Sequence, residues 1–474
     1  MLTRILFACL LLPVACLAFG QEYFTPYGPQ PYLPVGDGPN AIVSGQFMGD
    51  GATDLAIVNV GDGTLQILAK AGIAFYMAQT VETSWEPRFI AAGDFNLGGV
   101  MEIVSSNTSS DNISVFECSD EGWFFLAGDH EVGEAPWDLA VDLLNADPYP
   151  DLAVANGWDT TITVYFGSPD GLSGTGTFPC GYGPGTVLPA DFDADGEVEL
   201  AVLREDDGLL TYMENDGDGN FSITASYSVG EVGYDLKGGA VADLDGDLDL
   251  DLALVTNSIP VDTPDFVTVM LNNGLGTFTE QGTHDTLSTP TAIIALDFTG
   301  DEVPDLAVTG FDAGAVDFFL GSGGAQFYHL ASFPVGTGAR DAVAVDLEDD
   351  GDPDLAVALR GSDRIAFLEN LMGGNTAAEP AAAAGALRLE AAPNPFNPST
   401  EIRYGIPAGP ANLAVFDAAG RKVRTLLAGP VNSDAGILVW DGCDDRGGPL
   451  PSGVYILRLE AGGAVAGRKA VLLK

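Results

Sequence analysis

Apolar residues in this chain fall into short runs that alternate with small or polar ones. Thr291–Phe298 alternates in this way, and Leu306–Gly310, Ala315–Leu320 and Gln326–Phe333 follow it. Turn-forming stretches such as Gly321-Ser322-Gly323-Gly324 separate the runs. Period-two runs of this length between turn residues predict β-strands. Four of them in succession predict one small antiparallel sheet.

The unit recurs. Each time an acidic loop follows the first strand and closes on a carboxylate that leads into the second: Asp54, Glu102, Asp151, Glu199, Asp251, Asp305 and Asp354. Their spacings are 48, 49, 48, 52, 54 and 49 residues. A period near fifty means one supersecondary unit used seven times. A lone four-stranded sheet cannot bury both faces, whereas seven packed around an axis can. The expected fold is therefore all-β, a seven-bladed β-propeller over residues 21–372. The last unit ends one strand short, at Arg364–Asn370, and the N-terminal run Glu22–Leu33 precedes any first strand. The two are expected to pair, closing the ring and removing an open edge.

Charge sharpens this picture. The 474 residues carry a formal net charge of −50 with 46% hydrophobic residues, so the acid is organised on a folded core. Residues 21–372 hold 7 Lys+Arg against 59 Asp+Glu, whereas residues 388–474 hold 10 against 8. The break predicts a boundary, with 373–387 as a Gly/Ala-rich linker. So acidic a surface repels phosphate backbones and anionic lipid, which argues against a nucleic-acid partner and leaves divalent cations as the natural counter-charge.

The loops suit calcium. In Asp191-Phe192-Asp193-Ala194-Asp195-Gly196-Glu197-Val198-Glu199, acids stand at positions 1, 3, 5 and 9, and Gly196 permits a sharp reversal. Ca²⁺ takes six to eight oxygens in a flexible shell, while Mg²⁺ prefers fewer protein ligands. The seventh loop offers Asp346, Glu348, Asp350 and Asp354. The fifth offers Asp243, Asp245, Asp247 and Asp251, with Leu248 where glycine is expected. The sixth keeps Asp297, Asp301 and Asp305. The third reads as one residue too long, with Asn145, Asp147 and Asp151 aligned and Asp142 displaced. The second keeps Asp94, Asn96 and Glu102; the first keeps only Asp50, Gly51 and Asp54. The competing reading is that these acids merely cap turns.

Asp191–Leu200 and Asp346–Leu355, each followed by Ala-Val, resemble the FG-GAP or VCBS-type repeats of integrin-α-like seven-bladed propellers. The resemblance spans about residues 22–372 and implies structural Ca²⁺ between the inner two strands. Residues 388–474 contain about seven strand candidates, suggesting a small Ig-like sandwich. Pro393–Thr400, Phe416-Asp417-Ala418-Ala419-Gly420, Trp440-Asp441-Gly442 and Ser452-Gly453-Val454-Tyr455 resemble the C-terminal sorting domain of type IX secretion substrates, related to the Ig-like domain of flagellar hook-capping proteins. That resemblance implies contact with secretion machinery and export to the bacterial surface. Residues 1–20 read as a signal peptide: Arg4, then apolar Ile5–Leu17, then small residues. No other stretch is apolar enough to span a bilayer.

The face opposite the acidic loops is left for a partner. Trp85, Tyr182 and Tyr234 recur nine residues before a loop, with Trp137 at a shifted offset and Trp158 in a turn. Aromatic rings there suit a protein or glycan, or they pack blade on blade. His130, His284 and His329 sit in no zinc or nucleophile motif. The expected function is a secreted or cell-surface calcium-binding adhesion module, not an enzyme. The alternatives are a polysaccharide lyase or hydrolase on the same scaffold, or a structural spacer.

Overall fold

The computed structural model describes residues 24–372 except 29, 120–121, 206, 231–233 and 259–263. In the C-terminal segment it describes 388–392, 400–405, 409–417, 422–431, 435–446, 448, 450, 453–461 and 464–472. The signal-peptide and linker readings, and parts of the C-terminal motifs, lie outside the described residues. Every described element is a strand, and the chain divides into two compact units, residues 1–376 and 377–474.

The first unit is a ring of seven antiparallel sheets. The fourth shows the plan: Pro184–Ala190, Glu199–Arg204, Leu209–Asn215 and Phe221–Ser228, in that order. The second strand of a blade is buried along its length, as in Asp54–Asn59, while the fourth alternates, as Phe221–Ser228 does. This gradient follows from position. Inner strands are covered by blades on both sides, and outer strands meet water with every second residue. The seven first strands touch one another in order around the axis, and Ala339–Val345 meets Pro39–Gly45 to complete the circle.

Closure follows the expected pairing but in two pieces. Phe24–Pro26 pairs with Leu368–Asn370, and Tyr32–Pro34 pairs with Arg364–Ala366. Phe24 stacks on Phe318 at 3.9 Å between centroids and meets Phe298 and Phe333 edge-on. Gln30 exchanges two hydrogen bonds with the Phe75 backbone of the first blade. The N-terminal segment thus ties the last blade to the first.

Each first strand carries a β-bulge at the same place, one residue past its start or three in the fifth blade. The bulged residues are Asn40, Arg88, Trp137, Gly185, Lys237, Thr291 and Arg340. Just beyond it, two acids stitch adjacent blades together around the axis. Asp138 accepts from the Val187 amide at 3.0 Å, and Asp341 accepts from the Ile42 amide at 2.9 Å. Burial, the largest cause, pushes Asp138 up to about 7 and Asp341 up to about 6.

The second unit is a two-sheet sandwich. Arg388–Ala392, Thr400–Gly405 and Ala435–Trp440 form one sheet. Lys422–Val431, Gly409–Asp417, Gly453–Ala461 and Ala464–Leu472 form the other. Trp440 is fully buried among Ile402, Leu413, Val415, Tyr455 and Leu457. All seven strands expected from the sequence are present.

Two outcomes follow. Phe24→Ala removes the aromatic anchor of the closure and is expected to cost about 3–5 kcal/mol in urea unfolding; no loss would mean the closure carries no stability. Asp138→Asn keeps the acceptor for Val187 and removes a charge whose folded pKa is raised. An acid with a raised folded pKa holds more protons folded than unfolded, so its contribution falls as pH rises from about 4 to about 7. The stability of Asp138→Asn relative to wild type is therefore expected to improve from pH 5 to pH 8, measured in chelator.

Candidate metal centre

The nine-residue loops share one backbone design. At position 2 stands an apolar residue, Phe47, Phe95, Leu144, Phe192, Leu244, Phe298 or Leu347, and each is buried. Its amide donates to the closing acid seven residues on, for example Phe192 to Glu199 Oε2 at 2.8 Å and Leu244 to Asp251 Oδ2 at 2.9 Å. Where the closing acid is Asp, its second oxygen accepts from the end of the third strand: Lys70, Gly167, Asn272, Gly321 and Asn370 donate to Asp54, Asp151, Asp251, Asp305 and Asp354. The closing carboxylates are therefore staples as well as candidate ligands. The alternation of apolar and acidic residues within the loop carried this signal, but sequence reasoning weighed only the acids.

Positions 4 and 6 take left-handed backbone in six of the seven loops. The fourth uses Ala194 (φ 60°) and Gly196 (φ 94°), and the fifth uses Gly246 (φ 86°) and Leu248 (φ 80°). The strain expected at Leu248 is present, and its side chain is 87% exposed. This reversal turns the position-1 acid inward as a cap: Asp94, Asp191, Asp243, Asp297 and Asp346 all accept amides from within their own loops. Both functions assigned to these acids at the outset, capping and ligation, thus start from one geometry.

The third loop corrects its sequence reading. Leu144 donates to Asp151 Oδ2 at 2.9 Å across the same seven residues, so no extra residue is present. Leu143 holds position 1, Pro148 holds position 6, and Asp142 lies just before the loop. The first loop has Gln46 and Met48 at positions 1 and 3.

Two loops gather three carboxylates. Oxygens of Asp191, Asp193 and Glu199 lie within 4.8 Å of one another, as do those of Asp243, Asp245 and Asp251. Asp195 and Asp247 stand next to them, close enough to raise the pKa of Asp193 and Asp245 after burial has done so. Burial, then repulsion from Asp193, Asp195 and Asp191, pushes Glu199 up to about 7. Burial raises Asp251 to about 6.

A cation fits the fourth loop for a specific reason. Asp191 Oδ1 and Glu199 Oε1 are buried and accept no hydrogen bond. In the second loop the same Glu position is satisfied, because Asn96 Nδ2 donates to Glu102 Oε1 at 2.6 Å. Asp193 replaces that amide in the fourth loop and cannot donate. An all-carboxylate set of hard oxygens suits Ca²⁺ or Mg²⁺ over softer metals.

The remaining loops gather no such trio among the described residues. Thr299 leaves the sixth with no acid at position 3. In the seventh, Lys70 reaches over from the first blade, donating to the Asp346 carbonyl at 2.7 Å and pairing with Asp349. Burial and the neighbouring Glu348 raise Asp354. Both Glu348 oxygens lack a donor. The loop ranked beside the fourth from sequence alone thus carries an ammonium of its own, and the fifth gathers its acids despite Leu248.

On the opposite face, Trp85, Trp158 and Tyr182 are exposed, Trp85 by 81%. Trp137 is partly buried between Arg88, 5.7 Å from its ring centroid, and Gly157. The Tyr234 side chain lies outside the described residues. Packing therefore accounts for Trp137 but not for the other three. His329 Nε2 lies 3.0 Å from Asp317 Oδ1, and Ser332 bonds the same oxygen. Ser332 Oγ also lies 3.5 Å from His329 Nε2, so serine and acid meet the same imidazole nitrogen instead of being bridged by its two nitrogens as in a hydrolytic triad.

An FG-GAP-like repeat model matches residues 191–254 and 297–357, which hold loops four to seven, and a FlgD Ig-like domain model matches residues 398–464. The chain therefore contains FG-GAP-like repeats and a FlgD Ig-like domain. The three unmatched loops are the first, second and third. No curated protein matches the chain in sequence. Among solved structures, BBS1N in complex with ARL6DN is 13% identical with TM-score 0.51, covering 75% of this chain and 97% of that one. Hydrazine synthase of Kuenenia stuttgartiensis is 13% identical with TM-score 0.53, covering 71% and 96%. A candidate 6-phosphogluconolactonase of Bacteroides fragilis is 17% identical with TM-score 0.50, covering 64% and 86%. At these identities the likeness is one of fold.

Leu248→Gly is expected to stabilise the protein by about 1 kcal/mol, since relief of left-handed strain outweighs the added freedom of the unfolded chain. Urea unfolding checks it, and a loss of stability would mean the Leu248 side chain has a role the loop geometry does not show.

Proposed function

We propose that the protein is an exported, calcium-stabilised propeller that acts as a binding module. The observation that carries the metal reading is the buried, acceptor-only cluster of the fourth loop, where Asp191 Oδ1 and Glu199 Oε1 have no donor. Asp191, Asp193, Asp195 and Glu199 hold one Ca²⁺, and Asp243, Asp245, Asp247 and Asp251 hold a second. Bound metal offsets the repulsion that raises Glu199 and pins the loop to the start of the second strand. Its role is structural.

The binding reading rests on the exposed rings Trp85, Trp158 and Tyr182, all on the face away from the metal loops. Exposed aromatics of this size mark contact surfaces for protein or sugar. The ligand is a protein or a glycan on a cell surface or in its surroundings. The Ig-like tail serves export, as the sorting-domain resemblance implies, and no described helix is long and apolar enough to cross a membrane. The likeness to a lactonase reaches the fold alone, and Ser332 and Asp317 meet His329 at one and the same nitrogen, which is not the geometry of a hydrolytic triad, so a binding role is preferred to catalysis.

Melting in calcium against melting in chelator tests the metal. A site saturated a hundredfold above its Kd adds about 2.7 kcal/mol, so two sites raise the transition by several degrees. Asp193→Asn combined with Asp245→Asn is expected to remove most of the shift. An identical wild-type transition in calcium and chelator would sink the metal reading.

A further inference from the structure

The bulges in the first strands place one residue from each blade at the same level around the central axis. A bulge re-aims a side chain out of the ladder, and bulges recurring at one level make a built ring rather than seven accidents. The ring contains three cations, Arg88, Lys237 and Arg340, with an indole, an amide, a hydroxyl and a glycine, and not one carboxylate. That composition runs against the chain. Residues 21–372 hold only seven Lys and Arg among 59 acids, and three of the seven stand here. A fourth, Arg360, bonds the ring's Asn40 at 3.1 Å.

Six of the seven ring residues, all but Asn40, line one cavity of about 140 Å³ at the mouth of the central channel, on the face opposite the acidic loops. Its donors are under-used. Arg88 and Arg340 make no side-chain hydrogen bond among the described residues, and the buried Trp137 Nε1–H has no acceptor. Lys237 is held by Glu205 at 3.1 Å and Asp235 at 3.4 Å. Burial, followed by Arg88 and Arg360, pushes Arg340 down to about 10, with Asp341 and Glu205 only partly opposing the shift. The acids of the channel are engaged elsewhere: Asp138 and Asp341 accept the Val187 and Ile42 amides.

We propose that this ring is an anion-recognition site for the carboxylate of a sugar acid. A guanidinium presents a planar fork that matches a carboxylate, and Arg88 and Arg340 offer two. The cavity holds one group of about monosaccharide size. Asn257 and Glu205 line the same cavity and provide partners for sugar hydroxyls, as a simple carboxylic acid would not require. The strong negative charge of the whole chain penalises each negative charge on a ligand, so a monoanion enters more readily than a phosphate dianion. The inference rests on the reading of the propeller as a binding module and names the ligand class that its far face takes.

Calorimetric titration of the full chain with D-glucuronate at low ionic strength, in saturating calcium, tests it. Saturable binding is expected, with no binding of D-glucose and weaker binding of inorganic phosphate. Arg88→Met and Arg340→Met are each expected to weaken glucuronate at least tenfold, and Arg340→Lys to retain part of the affinity. Circular dichroism and the calcium-dependent melt of each variant report folding and the metal sites separately. Loss of glucuronate binding with an intact calcium shift localises the effect to the ring. A missing calcium shift with intact glucuronate binding defeats the metal reading alone. The proposal is overturned if glucuronate does not bind, if glucose or phosphate binds as tightly, if a tetraglutamate peptide binds more tightly, or if both Met variants bind as wild type does.

Discussion

The buried carboxylate that closes each acidic loop governs this molecule. It begins the second strand, the most deeply covered strand of its blade, yet its oxygens accept the amide of the loop's apolar second residue and, when it is Asp, the amide ending the third strand. The loop therefore cannot open without withdrawing Phe192 or its counterparts from the core. A carboxyl group in so dry a place costs least where both oxygens are hydrogen-bonded, as they are in the Asp-closed loops. Where a Glu takes the place of Asp, one oxygen leaves the staple. The second loop meets that oxygen with the Asn96 amide, and the fourth presents it to Asp193 and Asp191. The residue at position 3 thus separates a loop whose closing Glu is satisfied from one whose closing Glu keeps an oxygen without a donor.

Strand polarity then sorts the charge. Every acidic loop joins a first strand to a second, so all seven project from one face. Every first-strand bulge lies at the other end, so its side chains gather at the opposite mouth. An acidic chain is divided into a carboxylate-rich face and a small cationic ring without any long-range design beyond repetition. The neighbouring blades are tied across these loops: Asn272 and Asn370 donate to the carbonyls of Phe192 and Phe298, two loop positions of preceding blades.

Most of the architecture was legible along the chain. The period of the closing acids marked seven units, alternation marked the strands, and the missing last strand pointed to the N-terminal segment that supplies it. The strain at Leu248 was legible because only a left-handed residue fits that turn. Other features were hidden. The third loop looked too long because Asp142 resembles a ligand, and only the Leu144–Asp151 hydrogen bond fixes its frame. The seventh loop looked as strong as the fourth because Lys70, 276 residues away, is invisible from its own sequence.

Local pattern therefore determined what each unit is: four strands, a capped acidic reversal, and a buried acid at its close. These depend on residues within about ten positions of one another, where backbone sterics and short-range hydrogen bonding decide the outcome. Which carboxylates lack a donor, which loop carries its own ammonium, and which side chains meet on the axis were decided only by closing the ring. Each of those facts requires side chains from different blades to share one volume, and no spacing within a single repeat encodes that distance.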